Sequence, residues 1–356
     1  MKKHNYSAGP CILPQEVFEK SAQALLNFNN SDLSILEISH RSKDFVAVME
    51  EARNLVLELL GLQNKGYQVL FLAGGASLEF LMVPYNLMKV NGKAAYLETG
   101  TWAVNAIKEA KLFGETQIVA SSSDSNFNFI PKNYEIPTNA DYFHCTSNNT
   151  IFGTQMKSFP KTNIPLVCDM SSDIFSRTLD FEQFDLIYAG AQKNMGPAGT
   201  TLVVVKEEIL GKSGRTIPSM LDYQKHIKAE SMYNTPPVFP IYASLLTLQW
   251  LKNKGGISAI EQKNQDKATL LYNEIDRNPL FKGTAVVEDR SIMNATFLLH
   301  NENHASIFDK MWKEAGISGL AGHRSVGGYR ASMYNALPIE SVQVLVDVMQ
   351  ALEKTV

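Results

Sequence analysis

The chain has 356 residues, 45% of them hydrophobic, and a formal net charge of −3 at pH 7. This length exceeds the usual size of a single hydrophobic core, so two domains are expected. The acidic balance gives no support to a nucleic-acid or membrane-surface role, because both partners call for a basic excess.

The first half of the chain alternates apolar runs with segments of helical period, which is typical of a mostly parallel sheet covered by helices on both faces. An amphipathic helix is predicted over 46–60, with Gly61 in the position that glycine favours after a helix. Further helices should begin near Leu78 and Trp102. Strands are predicted at 68–72, 94–97, 117–119, 142–145, 166–168, 186–189 and 201–205.

The pattern changes after the loop-forming stretch YNTPP at 233–237. Two long helices are predicted at 241–253 and 258–278. A smaller unit follows, with strands at 295–299 and 327–330 and helices at 304–315 and 338–354. We therefore predict an α/β protein with a large domain over 1–255, whose N-terminal segment reaches toward the small domain, and a small domain over 256–356.

Ligands of open α/β sheets bind beyond the carboxyl ends of the strands, so the polar residues that follow each strand are candidates. The run AGGAS at 73–77 precedes a helix, whose free N–H groups suit an anion; Ser77 is a candidate cap for that helix. A tight turn without a ligand is an equally good interpretation. Trp102 either stacks on a planar ligand or packs in the core. Thr150 ends a polar row that an ordinary turn would also show.

Asp169 and Lys193 follow two successive strands and are 24 residues apart (193 − 169). A salt-bridged aspartate and a solvated loop lysine are the simpler interpretations of each alone. If the two strands are neighbours, however, both groups reach one crevice. That pairing suits pyridoxal 5′-phosphate, because a lysine captures the aldehyde as a Schiff base and an acid keeps the pyridine nitrogen protonated.

Six motifs resemble the phosphoserine aminotransferase family, within the class-V, fold-type-I pyridoxal-phosphate enzymes. They are YSAGP at 6–10, SHRS at 39–42, SNNTI at 147–151, GAQKN at 190–194, YNTPP at 233–237 and GHRSVGGYRAS at 322–332. The resemblance implies a large domain with a mostly parallel seven-stranded sheet and a smaller α/β domain.

The resemblance also implies roles for individual residues. Lys193 would be the Schiff-base lysine and Asp169 the partner of the pyridine nitrogen. The remaining cofactor contacts would be Trp102 by stacking, Thr150 by a hydrogen bond, Ala76, Ser77 and Gln192 to the phosphate, and Asn234 and Thr235 to the phosphate of the neighbouring subunit's site. A homodimer with composite active sites is thus implied, and no metal is expected.

Arg330 matches the family arginine that clamps the substrate α-carboxylate, a task that suits the guanidinium fork. The distal phosphate or γ-carboxylate would be held by His40, Arg41, His323 and Arg324, although isolated His-Arg pairs are more often solvated. Some family members carry an arginine where this chain has Ser77, so the strength of distal phosphate binding is open.

The expected reaction is amino transfer from L-glutamate to 3-phosphohydroxypyruvate, giving O-phospho-L-serine and 2-oxoglutarate in serine biosynthesis. Whether a phosphorylated four-carbon oxo acid of pyridoxine biosynthesis is also used is open. Cys11, Cys145 and Cys168 form no C-x-x-C pair and are odd in number, which favours a reducing compartment, so a cytoplasmic protein is expected without signal peptide or membrane span. Rival interpretations are a cysteine desulfurase, an alanine–glyoxylate aminotransferase and a non-catalytic nucleotide-binding module.

Overall fold

The computed structural model describes residues 3–356. Its helices are α1 (Gln15–Leu26), α2 (Lys43–Leu60), α3 (Gly75–Leu87), α4 (Thr101–Ala110), α5 (Tyr223–Lys228), α6 (Val238–Asn253), α7 (Gly256–Arg277), α8 (Ala305–Glu314) and α9 (Ile339–Thr355). Its strands are β1 (His4–Asn5), β2 (Tyr67–Leu72), β3 (Lys93–Glu98), β4 (Glu115–Ser121), β5 (Phe143–Thr146), β6 (Asn148–Asn149), β7 (Thr154–Gln155), β8 (Leu166–Asp169), β9 (Leu186–Gly190), β10 (Thr201–Lys206), β11 (Phe281–Gly283), β12 (Asn294–Leu299), β13 (Ile317–Ser318) and β14 (Tyr329–Ser332). None of the helices in this described part of the chain is long and apolar enough to cross a membrane.

The seven strands predicted in the first half of the chain all form one sheet, in the order β2-β10-β9-β8-β5-β3-β4. Strand β10 runs antiparallel to β2 and β9, and the other strands of this sheet all run in one direction. The predicted α/β fold with a mostly parallel seven-stranded sheet is confirmed. We call it the large sheet.

Both faces of the large sheet are buried, which explains why its strands are apolar runs without strict alternation. In β9, Ile187 and Ala189 pack into one core, and Leu186 and Tyr188 pack into another on the opposite face. Helices α2 and α6 cover the first face, and α3 and α4 cover the second. Helix α2 begins earlier than predicted, because Ser42 caps it through a hydrogen bond from the backbone N–H of Phe45 to its Oγ.

A small antiparallel sheet, ordered β11-β12-β14, packs with α7, α8 and α9 around a separate core. The N-terminal segment joins this core: Tyr6 is fully buried there, and its hydroxyl donates to the carbonyl of Ser341 at 2.6 Å. Helix α7 supplies Ile260 to the core of the large sheet and Leu271 to that of the small sheet. The domain boundary near residue 256 stays a prediction.

The strand predicted at 327–330 begins two residues late. Gly327 and Gly328 have φ values of 76° and 59°, in the left-handed region that a strand does not use. They form a turn, and the strand β14 starts only at Tyr329. Arg330 therefore lies near the start of β14, where it pairs with Thr296 of β12.

Candidate active site

The strands β5, β8 and β9 are neighbours, so their carboxyl ends meet at one edge of the large sheet. Asp169 is the last residue of β8, and Lys193 follows β9 by three residues. A cavity of about 300 Å³ opens at this edge. It is lined by Ala8, Gly9, Gly75, Ala76, Ser77, Phe80, Trp102, Thr150, Ile151, Asp169, Ser171, Gln192, Lys193, His323 and Arg330.

The side chain of Lys193 ends at the floor of this cavity. Its Nζ lies 3.1 Å from Oγ1 of Thr150 and 5.5 Å from the ring centroid of Trp102. Burial lowers the pKa of Lys193; Asp169 opposes this shift and Arg330 adds to it. The lowered pKa favours the neutral amine, which is the form that attacks a carbonyl carbon.

The N-terminal segment packs against the backbone of Lys193. A Cβ on Gly9 would lie 3.3 Å from Cγ of Lys193, and the φ of Gly9 is 145°. The N–H of Cys11 donates to the carbonyl of Gln192 at 3.1 Å, and its thiol donates to the carbonyl of Lys193.

The three cysteines are not placed or activated as nucleophiles. Burial raises the pKa of the Cys11 thiol to about 12, so it is not a reactive thiolate. Cys145 and Cys168 are buried in the sheet, which leaves no cysteine placed for desulfurase chemistry in the described chain.

Asp169 is only 4% exposed and has few partners for a carboxylate. Its Oδ1 accepts a hydrogen bond from the backbone N–H of Ser171 at 2.9 Å. Burial raises the pKa of Asp169, and the nearby Lys193 opposes this shift. Ser171 also accepts from the N–H of Gly190 and so ties the end of β8 to β9. Sequence reasoning missed Ser171; the Asp-x-Ser spacing directly after a strand was the available signal.

Helix α3 presents an uncapped N-terminus to the cavity. Its N-cap residue is Gly74, with φ 104° and no side-chain capping bond. The helix begins at Gly75, one turn before the predicted start, so the expectation that Ser77 caps it was wrong. Ala76 and Ser77 instead lie in the first turn and line the cavity. The free N–H groups of such a turn bind anions well.

Trp102 and Gln192 both line the cavity, and a glycine lies two residues before each of them. A Cβ on Gly100 would lie 2.7 Å from Oδ1 of Asn149, and one on Gly190 would lie 2.8 Å from Oε1 of Gln192. Both glycines therefore permit close packing at the strand ends. The indole Nε1 of Trp102 is buried and has no hydrogen-bond partner within the described chain.

Only some of the predicted substrate-binding residues lie at the cavity. His323 and Arg330 line the cavity, whereas His40, Arg41 and Arg324 do not. Burial lowers the pKa of Arg330; burial, Arg330 and Arg324 lower that of His323. Within residues 3–356, Arg330 forms no ion pair, and its Nε has no hydrogen-bond partner. An unpaired guanidinium at the cavity suits an anionic ligand.

Asn234 and Thr235 are exposed and lie outside the cavity of their own chain. Asn234 instead borders a second, largely apolar pocket with Gly74 and Leu78. The two residues therefore take no part in the cavity described above.

Comparison with known proteins identifies the family of this chain. Residues 4–345 match the aminotransferase class-V family. The chain belongs to that family. It is 83% identical to the phosphoserine aminotransferase of Flavobacterium psychrophilum over 100% of both chains. Among solved structures, the phosphoserine aminotransferase of Bacillus circulans subsp. alkalophilus has a TM-score of 0.96 at 45% identity and 99% coverage of both chains. The PLP-bound phosphoserine aminotransferase of Trichomonas vaginalis has a TM-score of 0.93 at 35% identity, covering 98% of this chain and 100% of that one.

The cofactor of this class-V aminotransferase is pyridoxal 5′-phosphate, and the cavity fits it. The amine of Lys193 matches the aldehyde, and the carboxylate of Asp169 matches the pyridine nitrogen. The uncapped N-terminus of α3 matches the phosphate, and the flat ring of Trp102 matches the heterocycle. The orphaned Nε1 of Trp102 and the free Nε of Arg330 leave donors for the cofactor or for an anionic substrate.

Proposed function

We propose that this enzyme transfers the amino group of L-glutamate to 3-phosphohydroxypyruvate, giving 2-oxoglutarate and O-phospho-L-serine. The observation that carries the proposal is the placement of Lys193, Asp169 and the unpaired Arg330 around one cavity. The whole-length relatives named phosphoserine aminotransferase support the same reaction. Each substrate carries two anionic groups at neutral pH, and Arg330 lines the cavity without an ion-pair partner among the described residues.

When bound, pyridoxal 5′-phosphate supplies an electron sink for the bond broken at the substrate Cα. Nζ of Lys193 would hold the cofactor at its aldehyde carbon. The same Nζ would accept the proton lost from the substrate Cα, which its lowered pKa permits. Asp169 would hold a proton on the pyridine nitrogen.

The remaining cofactor contacts fix its position. Trp102 would stack on the ring, and Thr150, whose Oγ1 lies 3.1 Å from Nζ of Lys193, would hydrogen-bond the cofactor. Ala76 and Ser77 at the N-terminus of α3, together with Gln192, would hold the phosphate.

Substrate binding uses the basic residues. Arg330 binds the α-carboxylate that glutamate and the oxo acid share, through its guanidinium fork. The distal phosphate or γ-carboxylate is bound by the second cationic group, which comprises His40, Arg41, His323 and Arg324. Because the γ-carboxylate and the phosphate are both anions, one cluster can serve both half-reactions.

We also propose a cytoplasmic homodimer in which Asn234 and Thr235 complete the phosphate site of the partner subunit. Their exposure outside their own cavity supports this arrangement. Three free cysteines support a reducing compartment.

A single-turnover experiment tests the reaction. Adding L-glutamate alone should change the absorbance of the bound cofactor and release one equivalent of 2-oxoglutarate. Adding 3-phosphohydroxypyruvate should restore the spectrum and produce phosphoserine, whereas pyruvate or glyoxylate should not. Indifference to glutamate, or equal restoration by pyruvate, would move the function to a neighbouring family.

Complementation tests the composite site. Lys193→Ala and Asn234→Ala/Thr235→Ala should each be nearly inactive alone. If the two are unfolded together and refolded, mixed dimers contain one intact site, and about one quarter of the wild-type activity should return for random pairing of chains. No recovery, with mixed dimers present, would place Asn234 and Thr235 outside the partner's site.

A further inference from the structure

A buried amide–amide hydrogen bond joins the active-site turn to the small sheet. Nδ2 of Asn148 donates to Oδ1 of Asn294 at 2.7 Å, and the two residues are 2% and 0% exposed. Asn148 lies two residues before Thr150. Asn294 is the first residue of β12, and the neighbouring strand β14 carries Arg330. One hydrogen bond therefore connects the supports of two groups on opposite sides of the cavity.

Serine hydroxyls complete the bonding of both amides. Asn148 also donates to Oγ of Ser172 at 2.8 Å and accepts from Oγ of Ser291 at 2.5 Å. Asn294 donates to Oγ of Ser332 at 3.0 Å. We call these five residues, Asn148, Ser172, Ser291, Asn294 and Ser332, the polar seam. A buried polar network with its groups satisfied favours one geometry, because any other arrangement leaves a polar group unpaired.

Backbone contacts beside the polar seam leave little freedom to slide. Oγ1 of Thr296, the register partner of Arg330, donates to the carbonyl of Phe152 at 3.0 Å. A Cβ on Gly153 would lie 2.2 Å from Oγ1 of Thr296, and the φ of Gly153 is +74°. The turn that follows Thr150 thus packs closely against the side chain of Thr296 on β12.

We propose that Asn148 and Asn294 are positioning residues that set the separation between Thr150 and Arg330. This inference rests on the proposed roles of those two residues. Thr150 and Lys193 fix where the substrate Cα reacts, and Arg330 fixes where its α-carboxylate binds. The polar seam fixes these two positions relative to each other. Removing its hydrogen bonds should therefore weaken the binding of both substrates while leaving the cofactor in place.

The test measures KM, kcat and cofactor affinity of the holoenzyme for Asn294→Ala, Asn148→Ala and the double variant. Each single variant should raise KM for glutamate and for 3-phosphohydroxypyruvate by about 10-fold, with a smaller change in kcat and an unchanged cofactor spectrum. Because both act through one hydrogen bond, the double variant should be little worse than either single one.

Asn278→Ala is the matched control. Asn278 is 1% exposed and donates to Oε1 of Glu274 and the carbonyl of Met349. None of these three residues lines the cavity. It should lower Tm as Asn294→Ala does and leave both KM values unchanged. If Asn294→Ala is not recovered folded, Ser332→Ala, which removes one acceptor of Asn294, should raise both KM values two- to fivefold.

Unchanged KM values in the seam variants, or equal increases in Asn278→Ala, would overturn the proposal. Loss of cofactor affinity in place of substrate affinity would overturn it as well. The proposed reaction is tested separately, by turnover of the wild-type enzyme with the two substrates in the same series. A wild-type failure would therefore be distinguishable from a failure of the seam variants.

Discussion

The cavity floor and the basic rim of this enzyme are built on different principles. The cavity floor comprises Trp102, Thr150, Asp169 and Lys193, which follow strands of the large sheet and contact or face one another. The basic rim comprises His40, Arg41, His323, Arg324 and Arg330, of which only His323 and Arg330 line the cavity. A single chain therefore forms the whole cavity floor, but it places only His323 and Arg330 of the basic rim at the cavity.

The physical reason is the difference between buried and exposed charge. Burial raises the pKa of Asp169 and lowers that of Lys193, and each group partly opposes the shift of the other. At the rim, burial and the neighbouring Arg330 and Arg324 lower the pKa of His323, because like charges repel. The floor is therefore assembled from groups of opposite charge within one chain, whereas the rim groups share one sign.

Removing the amine from the floor should have the largest effect. Lys193→Ala should lower steady-state transamination by at least about 10⁴-fold, because no other described group reaches the same position. The assay follows phosphoserine formation, with the exposed Lys161→Ala as a control for preparation. Measurable turnover close to that of the control would refute the role of Lys193.

Changing Arg330, one of the two rim residues that line the cavity, should have the next largest effect. Arg330→Lys keeps the charge but loses the bidentate geometry, so kcat/KM should fall by about 100-fold for glutamate and for the oxo acid alike. The cofactor spectrum should stay unchanged, because the floor is intact. A loss confined to one substrate would place Arg330 at the distal group instead of the shared α-carboxylate.

Exposed rim residues should have smaller, salt-sensitive effects. Arg324→Ala and Arg41→Ala should each lower kcat/KM for 3-phosphohydroxypyruvate by about 10-fold and for glutamate by less, because the phosphate carries more charge than the γ-carboxylate. The difference from wild type should shrink between low and high ionic strength. If the losses were equal for both substrates and independent of salt, the two arginines would not bind the distal anion.

The stability of the fold, in contrast to its activity, should depend on a buried carboxyl group of α3. Glu79 of α3 is fully buried, accepts a hydrogen bond from the hydroxyl of Tyr223, and has a pKa raised from 4.5 to about 8 by burial. The folded state keeps a proton that the unfolded state releases above pH 4.5. Stability should therefore be full below that pH and fall as pH rises toward 8, by up to about 1.4 kcal/mol per pH unit. Glu79→Gln should flatten this slope in denaturant titrations; an unchanged slope would mean that another group causes it.

Much of the floor could be predicted from the sequence. The seven strands are short apolar runs whose ends are followed at once by polar residues, and parallel strands place all those ends at one edge. The sequence therefore predicts that Asp169 and Lys193 reach one crevice if their strands are neighbours; β8 and β9 do pair, and both residues line the cavity. Ser171 was missed because its partners, Asp169 and the N–H of Gly190, lie at the ends of two different strands, and the contact with Gly190 depends on how those strands pair.

The rim and the polar seam could not be read from the chain. Motifs identified the cationic residues but not which of them reach the cavity, since that depends on loops that fold independently of any hydrophobic period. Asn148 and Asn294 look like ordinary polar residues in sequence, and nothing at their separation of 146 positions indicates their hydrogen bond.

By itself, the sequence determined where the strands of the large sheet lie and which polar residues follow them, because apolar periodicity and strand-end position are local properties. The tertiary structure alone decided where α3 begins, which cations line the cavity, and how the turn at Thr150 is fixed to the strand of Arg330. These depend on contacts between residues far apart in the chain, and such contacts form only where packing brings their surfaces together.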